Sequence, residues 1–295
     1  MTWLSIVLVG LGVGDLVRST SWRPGRVVAH ATTPVVILLV ALLAGMHTWA
    51  DALALALAAV AGAAWIELSQ RTHETGRGAL PALSAFAAVV VGLLAASGAA
   101  SPAGGPLATW LAWADLPGAG TPSASRVLLL AGLAAVNLAT ANLIVRLVLL
   151  AIGALRPSDV SAAATAAAAA AGGGGSPSSG TGQQPSDRLK GGRLLGPMER
   201  LVIVGLGLAG EFGAAGLVIA AKGLLRFPEI QATARSRTAT DPGAAPGAAP
   251  GTDPGADPAG SYPGGPAGID DVTEYFLVGS FVSWLIALAS LALAA

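Results

Sequence analysis

The stretch PMERLVIVGLGLAGEFGAAGLVIAAKGLLRF, residues 197–227, is apolar over a length sufficient to cross a membrane. Three of its charges, Arg200, Glu211 and Lys222, are spaced by eleven residues. Eleven residues are about three turns of α-helix, so one continuous helix would place these charges near one face, each about 16 Å further along the axis. We therefore predict a sixth membrane helix over 193–230, with Glu211 near the middle of the bilayer and facing a partner or a wet cavity.

The whole chain has a membrane composition. Of its 295 residues, 54% are hydrophobic and 11% are charged, whereas soluble domains carry about 25% charged residues, and the mean hydropathy is +0.69. Basic and acidic residues both number 16, so no excess charge indicates nucleic acid, and the lipid bilayer is the expected partner. The sequence has no cysteine and three histidines, which excludes thiolate chemistry and leaves too few ligands for a metal site. We expect no metal and no cofactor.

Apolar runs separated by polar connections predict an all-α, polytopic membrane helical bundle with about seven spanning helices and disordered linkers. Residues 1–157 contain helices one to five. The piece LATWLAWADL, near 106–115, predicts a short interfacial helix, because about ten residues cannot span and Trp110 and Trp113 suit a membrane interface. The five helices are expected near 3–17, 30–46, 50–68, 79–99 and 126–155.

Two segments have compositions that do not favour packing. Residues 158–192 are rich in Ala, Gly and Ser, and residues 231–269 are rich in Pro, Gly and Ala, so we predict a disordered linker in each. The linkers flank the sixth helix at 193–230, and the seventh helix follows at 270–295.

The positive charges of the connections predict the orientation in the membrane. Lys and Arg occur in the first, third and fifth connections and are essentially absent from the second and fourth, so the odd connections are expected in the cytoplasm. We predict a multi-pass protein of the inner, cytoplasmic membrane, with the amino terminus outside and the carboxyl terminus in the cytoplasm. The sixth connection departs from this pattern, since Arg226, Arg235 and Arg237 would then be external.

Glycines predict where helices approach closely. Gly10 and Gly14 have the i, i+4 spacing of small residues at membrane helix contacts. The string GLGLAG at 205–210 matches the spacing of a dinucleotide-binding fingerprint, but it lies inside one apolar run with no strand before it, so we reject that interpretation. We expect instead a packing seam formed by Gly205, Ala209 and Gly213.

Polar side chains inside the apolar segments are candidates for an intramembrane site. Arg146 is the expected counter-ion of Glu211, and His30 is placed to meet Asp15. Such residues serve either as an ion relay or substrate pocket, or as structural ion pairs that fix helix register, and both interpretations stay open. The candidates are Asp15, His30, Asn142, Arg146, Glu199, Arg200, Glu211, Lys222, Arg226 and Glu274.

Three motifs lie near the carboxyl terminus: Gly196 with Glu199-Arg200, Ala221-Lys222 with Arg226-Phe227, and Glu274-Tyr275-Phe276-Leu277-Val278-Gly279 with Ser283. Together they resemble the carboxyl-terminal signature of an uncharacterised bacterial integral-membrane family, known only as a domain of unknown function. The resemblance implies the membrane class and the importance of Glu199, Lys222, Arg226 and Glu274, and it names no reaction.

The amino-terminal half departs from that family's pattern. The resemblance implies a first helix with His, Asp and Gln at intervals of four residues, and a second helix that begins with a pair of His. Asp15 and His30 stand in corresponding places, but Leu11, Ser19 and Pro34 replace the other residues. If the family uses a His and Asp cluster chemically, this chain lacks part of it.

No motif in the sequence specifies a reaction or a substrate. We predict a small transport or permeation component with a polar site centred on Glu211 and Arg146. The alternative is a non-catalytic membrane scaffold or partner subunit whose buried charges are structural. A membrane enzyme comes third, and no residue is assigned as catalytic. A homo-oligomer or another membrane partner is left open.

Overall fold

A computed structural model describes residues 1–19, 26–114, 123–154, 192–224 and 269–295. Within these ranges every regular element is helical, which confirms the all-helical class. The predicted linkers at 158–192 and 231–269 lie outside the described residues except for Gly192 and Ile269, each of which begins a helix.

Ten α-helices follow one another along the described chain, with α6 and α7 joined by a π-turn at Val136–Thr140 and α4 extended by a 3₁₀ turn at Ala96–Ala99. The helices are α1 (Thr2–Ser19), α2 (Arg26–Leu43), α3 (Trp49–Thr75), α4 (Ala79–Ala95), α5 (Gly105–Ala114), α6 (Ala124–Ala135), α7 (Ala141–Ala151), α8 (Gly192–Leu208), α9 (Phe212–Leu224) and α10 (Ile269–Ala294).

Five stretches of the described chain are long and apolar enough to cross a membrane, which is compatible with a membrane protein. The prediction of about seven spans is not confirmed, because the apolar part of α2, His30–Leu43, and the whole of α9 are shorter. The five stretches are Thr2–Ser19, Trp49–His73, Ala79–Ala99, Ala124–Ala151 and Leu277–Ala294.

Helix α1 lies at the centre of the bundle. In the apolar stretch of α1, 67% of the residues are buried, whereas in that of α4 only 11% are buried. The outer face of α4 exposes residues such as Val91. The predicted close approach at Gly10 and Gly14 is confirmed, because a Cβ at either position would collide with α2, at Ile37 and Thr33 respectively. Small residues thus let neighbouring helices reach the backbone of α1.

The predicted sixth helix is wrong, because the chain turns between α8 and α9. Gly210 has a φ of +83°, the left-handed conformation that glycine adopts without a Cβ penalty. Its N–H donates to the Gly207 carbonyl at 3.1 Å, and the Glu211 N–H donates to the Leu206 carbonyl at 2.8 Å. These two bonds are those of a Schellman motif, which ends α8 at Leu208.

Helices α8 and α9 form a hairpin, residues 192–224. The side chains of Glu199 and Lys222 make an ion pair, although a continuous helix would separate the two residues by about 35 Å. Ile203 and Val204 of α8 share a buried apolar cluster with Ala215 of α9. The second helix of the hairpin therefore returns alongside the first.

The two chain termini lie at the same end of the bundle. Ala294, at the end of α10, belongs to a buried cluster with Leu4 and Leu8 of α1. The predicted orientation in the membrane, with the amino terminus outside and the carboxyl terminus in the cytoplasm, is not confirmed. That prediction counted residues 193–230 as one crossing, whereas the hairpin enters and leaves at the same end.

The predicted short helix near 106–115 is present as α5. Its indoles at Trp110 and Trp113 are exposed, and it begins next to the α2–α3 connection, where the Gly104 N–H donates to the Ala44 carbonyl at 2.8 Å. The predicted position of α5 at a membrane interface stays a prediction.

Candidate functional site

The π-turn at Val136–Thr140 interrupts the regular hydrogen bonding between α6 and α7. A π-turn leaves a backbone carbonyl available to partners outside the helix. Here the Asn137 carbonyl accepts a hydrogen bond from Arg200 Nε at 3.0 Å, across the contact between the π-turn and the hairpin. The π-turn thus attaches the hairpin to the bundle.

Arg200 is buried, with 2% of its surface exposed. Besides the Asn137 carbonyl, its guanidinium donates to Ser283 Oγ of α10 at 2.9 Å, through Nη1, and to Asn142 Oδ1 of α7 at 2.6 Å, through Nη2. All three acceptors are neutral, and no carboxylate of the described residues lies within 4 Å of the guanidinium. The charge of Arg200 therefore has no ion-pair partner in that part of the chain.

Glu199, the residue before Arg200, faces a different direction because successive helical residues are about 100° apart. Its carboxylate pairs with Lys222 of α9 and accepts a hydrogen bond from Trp284 Nε1 of α10 at 2.9 Å. Glu199 thus joins both helices of the hairpin to α10, and Lys222 compensates its charge.

Asp15 of α1 is also buried next to the π-turn, with 2% of its surface exposed. Its carboxylate accepts hydrogen bonds from Thr140 Oγ1 at 2.7 Å and from Trp65 Nε1 at 3.3 Å, and it pairs with Arg18 Nη2 at 2.8 Å. Arg18 also donates to Ser69 Oγ at 2.9 Å. This paired carboxylate connects α1, α3 and the π-turn.

Asn137 completes the contacts of the π-turn. Its amide nitrogen donates to the Leu133 carbonyl and to Ser290 Oγ of α10, both at 2.8 Å, while its Oδ1 is buried without a hydrogen-bond partner among the described residues. These contacts form three neighbouring groups, which meet at the π-turn and at the adjacent residues Glu199 and Arg200, and we call them together the polar network. Its members are Asp15, Arg18, Trp65, Ser69, Asn137, Thr140, Asn142, Glu199, Arg200, Lys222, Ser283, Trp284 and Ser290.

The structure brings together five of the predicted site residues and leaves the others apart. Those in the polar network are Asp15, Asn142, Glu199, Arg200 and Lys222. Of the others, Arg226 lies outside the described residues, and the side chain of Glu274, in α10, is not described.

The predicted pair of Arg146 and Glu211 is wrong. Both residues are exposed, and no ion pair joins them in the described chain, because Glu211 lies at the turn of the hairpin rather than halfway along a helix. His30 does not pair with Asp15 either. Its Nε2 lies 3.3 Å from Glu67 Oε2.

The predicted seam of Gly205, Ala209 and Gly213 is also wrong. Among the described residues, a Cβ at Gly205 or at Gly213 would meet nothing within 4 Å, whereas one at Gly207 would collide with Leu291 of α10. The face of α8 that packs against α10 therefore contains Gly207 rather than Gly205.

Sequence reasoning missed members of the network that carry no charge: Trp65, Ser69, Asn137, Thr140, Trp284 and Ser290. It also missed Asp51, which accepts hydrogen bonds from Trp3 Nε1 at 2.6 Å, Ser101 Oγ at 2.8 Å and Thr48 Oγ1 at 2.6 Å at the start of α3. The one available signal was the capping pattern of Thr48 and Asp51, since Thr followed three residues later by an acid often begins a helix.

Two further observations bear on function. Among the described residues, no three His, Asp or Glu side chains come close enough to hold a metal ion. No protein-family model, curated protein or solved structure matches this chain. The polar network itself is therefore the basis for a functional proposal.

Proposed function

We propose that the chain is an integral protein of the inner membrane that serves as a small transport or permeation component, with the hairpin as its moving part. The observation that carries the proposal is Arg200, a buried cation on the hairpin whose hydrogen bonds within the described chain reach only neutral oxygens. A buried charge in a membrane protein is costly, and such residues usually serve solute or ion pathways. Helices that turn back within a membrane protein are found where they line a cavity or a path.

We also propose a topology of six crossings, by α1, α2, α3, α4, α6–α7 and α10, with a re-entrant hairpin that enters from the cytoplasmic side. Both long connections next to the hairpin then lie in the cytoplasm. This topology agrees with the positive-inside rule, because Arg226, Arg235 and Arg237 would then lie in the cytoplasm. Both termini would lie outside, in agreement with their position at one end of the bundle.

Membership of the family suggested by the carboxyl-terminal motifs is part of this proposal. In support of it, Gly196, Glu199, Arg200, Lys222 and Ser283, which belong to those motifs, lie together at the polar network. Residues that are far apart in sequence and meet in a buried polar cluster are the expected carriers of a shared role.

A disulfide lock tests whether hairpin movement is required. The chain has no cysteine, so Gly207→Cys combined with Leu291→Cys introduces one defined pair. A Cβ at Gly207 would lie 3.2 Å from Leu291 Cγ, which is compatible with a disulfide once Leu291 is shortened. The swelling of proteoliposomes in a panel of isosmotic small solutes measures the permeation of each solute in turn.

We expect wild-type vesicles to swell faster than protein-free vesicles for at least one solute. The oxidised double variant should lose that swelling, and reduction should restore it. Each single-cysteine variant is the matched control. Equal swelling before and after oxidation would contradict a moving hairpin.

The second candidate is a membrane scaffold. The observation that favours it is the pairing of Glu199 and Asp15, which are buried and whose contacts join five helices and the π-turn. Vesicles that swell no faster than protein-free vesicles in any solute, together with an intact fold, would favour this candidate.

A further inference from the structure

We propose that the base of the hairpin binds a small oxyanion, a carboxylate or a phosphate group, at Arg200 beside Gly196. This inference rests on the proposed function in that it names the ligand class of the same site. Binding and flux are measured separately, so that a failure of the oxyanion site can be distinguished from a failure of the proposed transport function.

The polar network contains one more positive charge than negative charges. Asp15 is paired with Arg18, and Glu199 is paired with Lys222, whereas Arg200 has neutral acceptors only. Removing a charge from water costs several kcal/mol unless an opposite charge compensates it. One bound anion would make the set neutral.

The guanidinium of Arg200 has more N–H donors than hydrogen bonds. It carries five N–H groups, and its three hydrogen bonds use one on each nitrogen, so one N–H remains on Nη1 and one on Nη2. N–H groups on both Nη1 and Nη2 can donate to the oxygens of a carboxylate or phosphate. The amide nitrogen of Asn142 makes no hydrogen bond within the described chain and can donate at the same place.

Gly196 borders this place. The residue is only partly buried, and a Cβ there would lie 3.9 Å from Arg200 Nη1 and 3.9 Å from Asn142 Oδ1. A methyl group at position 196 would therefore stand directly in front of both side chains. Because 3.9 Å is an ordinary van der Waals distance, it would do so without a collision, which makes Gly196→Ala a substitution that blocks the site and leaves the fold intact.

The test is the thermal unfolding of the purified full chain in detergent, titrated with inorganic phosphate or with acetate at an ionic strength held constant with sodium chloride. A ligand that binds the folded state alone raises Tm in a saturable way. We expect such a rise for the wild type, no rise for Arg200→Gln, and about tenfold weaker binding for Gly196→Ala.

Two matched controls separate binding from general effects. Gly205→Ala adds a methyl group to the same helix where nothing lies within 4 Å, and Arg146→Gln removes a charge from an exposed arginine of α7. Both should bind phosphate as the wild type does. A Tm rise that persists in Gly196→Ala and Arg200→Gln, or that disappears equally in Gly205→Ala, would overturn the proposal.

The source of the oxyanion is resolved by a second titration, with phosphatidylglycerol in mixed micelles. Saturable stabilisation by this lipid but not by inorganic phosphate or acetate, lost in Gly196→Ala, assigns the site to a lipid headgroup. Stabilisation by the free anions assigns it to a solute. If neither the lipid nor the free anions stabilise the wild type, the oxyanion site is refuted, whatever the result of the vesicle swelling measurement.

Saturable binding without vesicle swelling would uphold the oxyanion site and refute the proposed transport function.

Discussion

Asp15 and Arg200 are buried charges that both contact the π-turn, and they differ in the partners that satisfy them. Asp15 has an ion-pair partner three residues along its own helix, and donors from α3 and the π-turn complete its bonds. Arg200 is bonded to three neutral oxygens from three segments. Asp15 therefore holds the bundle together, whereas Arg200 keeps a charge that a ligand can compensate.

The helices that carry the two charges also differ in how tightly they are packed. Neighbouring helices occupy the space beside the glycines of α1. A Cβ at Gly12 would lie 2.5 Å from the Ala135 backbone. In the hairpin, Gly207 packs against Leu291, but a Cβ at Gly205, Gly213 or Gly216 would meet nothing within 4 Å among the described residues. A tightly packed centre beside a loosely covered hairpin is the arrangement expected when the hairpin moves against a fixed bundle.

The largest expected effect comes from removing the paired charge. Asp15→Ala leaves Arg18 without its anion and two further donors without an acceptor, so we expect the free energy of unfolding to fall by about 3–5 kcal/mol. Arg200→Met removes an uncompensated cation together with its hydrogen bonds, so we expect a fall of about 1–2 kcal/mol. Unfolding in mixed micelles measures both. A larger loss for Arg200→Met would mean that its charge is already compensated.

The next effect concerns packing at α1. Gly12→Ala places a Cβ against the backbone at the start of the π-turn, and overpacking of this kind costs about 1–3 kcal/mol. Gly205→Ala is the control in the hairpin and should cost nothing measurable. If the two substitutions have equal effects, the difference in packing between α1 and the hairpin does not exist in the membrane.

The hairpin turn is expected to respond less strongly. Gly210 has a positive φ, so Gly210→Ala should destabilise the protein by about 1 kcal/mol through backbone strain. Gly216→Ala in α9 is the matched control, and the same unfolding measurement applies. A stabilising effect of Gly210→Ala would indicate that the helix continues through this position, since alanine favours a helix interior over glycine.

The smallest effect is expected at Arg146. This side chain is exposed and makes no ion pair among the described residues, so Arg146→Gln should change the free energy of unfolding by less than about 0.5 kcal/mol. A loss of several kcal/mol, together with an equal loss in Glu211→Gln, would restore the pairing that the sequence had suggested.

Much of the bundle could be predicted from apolar length alone, since α1, α3, α4 and α6–α7 lie close to the expected ranges. The turn at Gly210 could not, because the residues around it remain apolar and hydropathy does not register a left-handed glycine. The pattern did contain one relevant signal, since glycine is the residue that most often follows a helix end.

The candidate site was predictable in part. Glu199, Arg200, Lys222, Asp15 and Asn142 are conspicuous as polar residues in apolar surroundings. Their partners were not, because Arg200 meets Asn137 and Ser283 across 63 and 83 residues of sequence, and a π-turn has no simple residue pattern. The eleven-residue spacing misled the prediction because it has meaning only if the helix is continuous.

The most direct test of the hairpin is one distance. Leu195 and Leu224 are exposed near the open end of the hairpin, at 61% and 75%, and in a chain without cysteine both can be replaced by Cys and spin-labelled selectively. Helices that pack side by side have axes about 8–10 Å apart, so we expect a label separation below about 25 Å in lipid nanodiscs. A separation near 44 Å, about the length of a continuous helix between the two residues, would contradict the account.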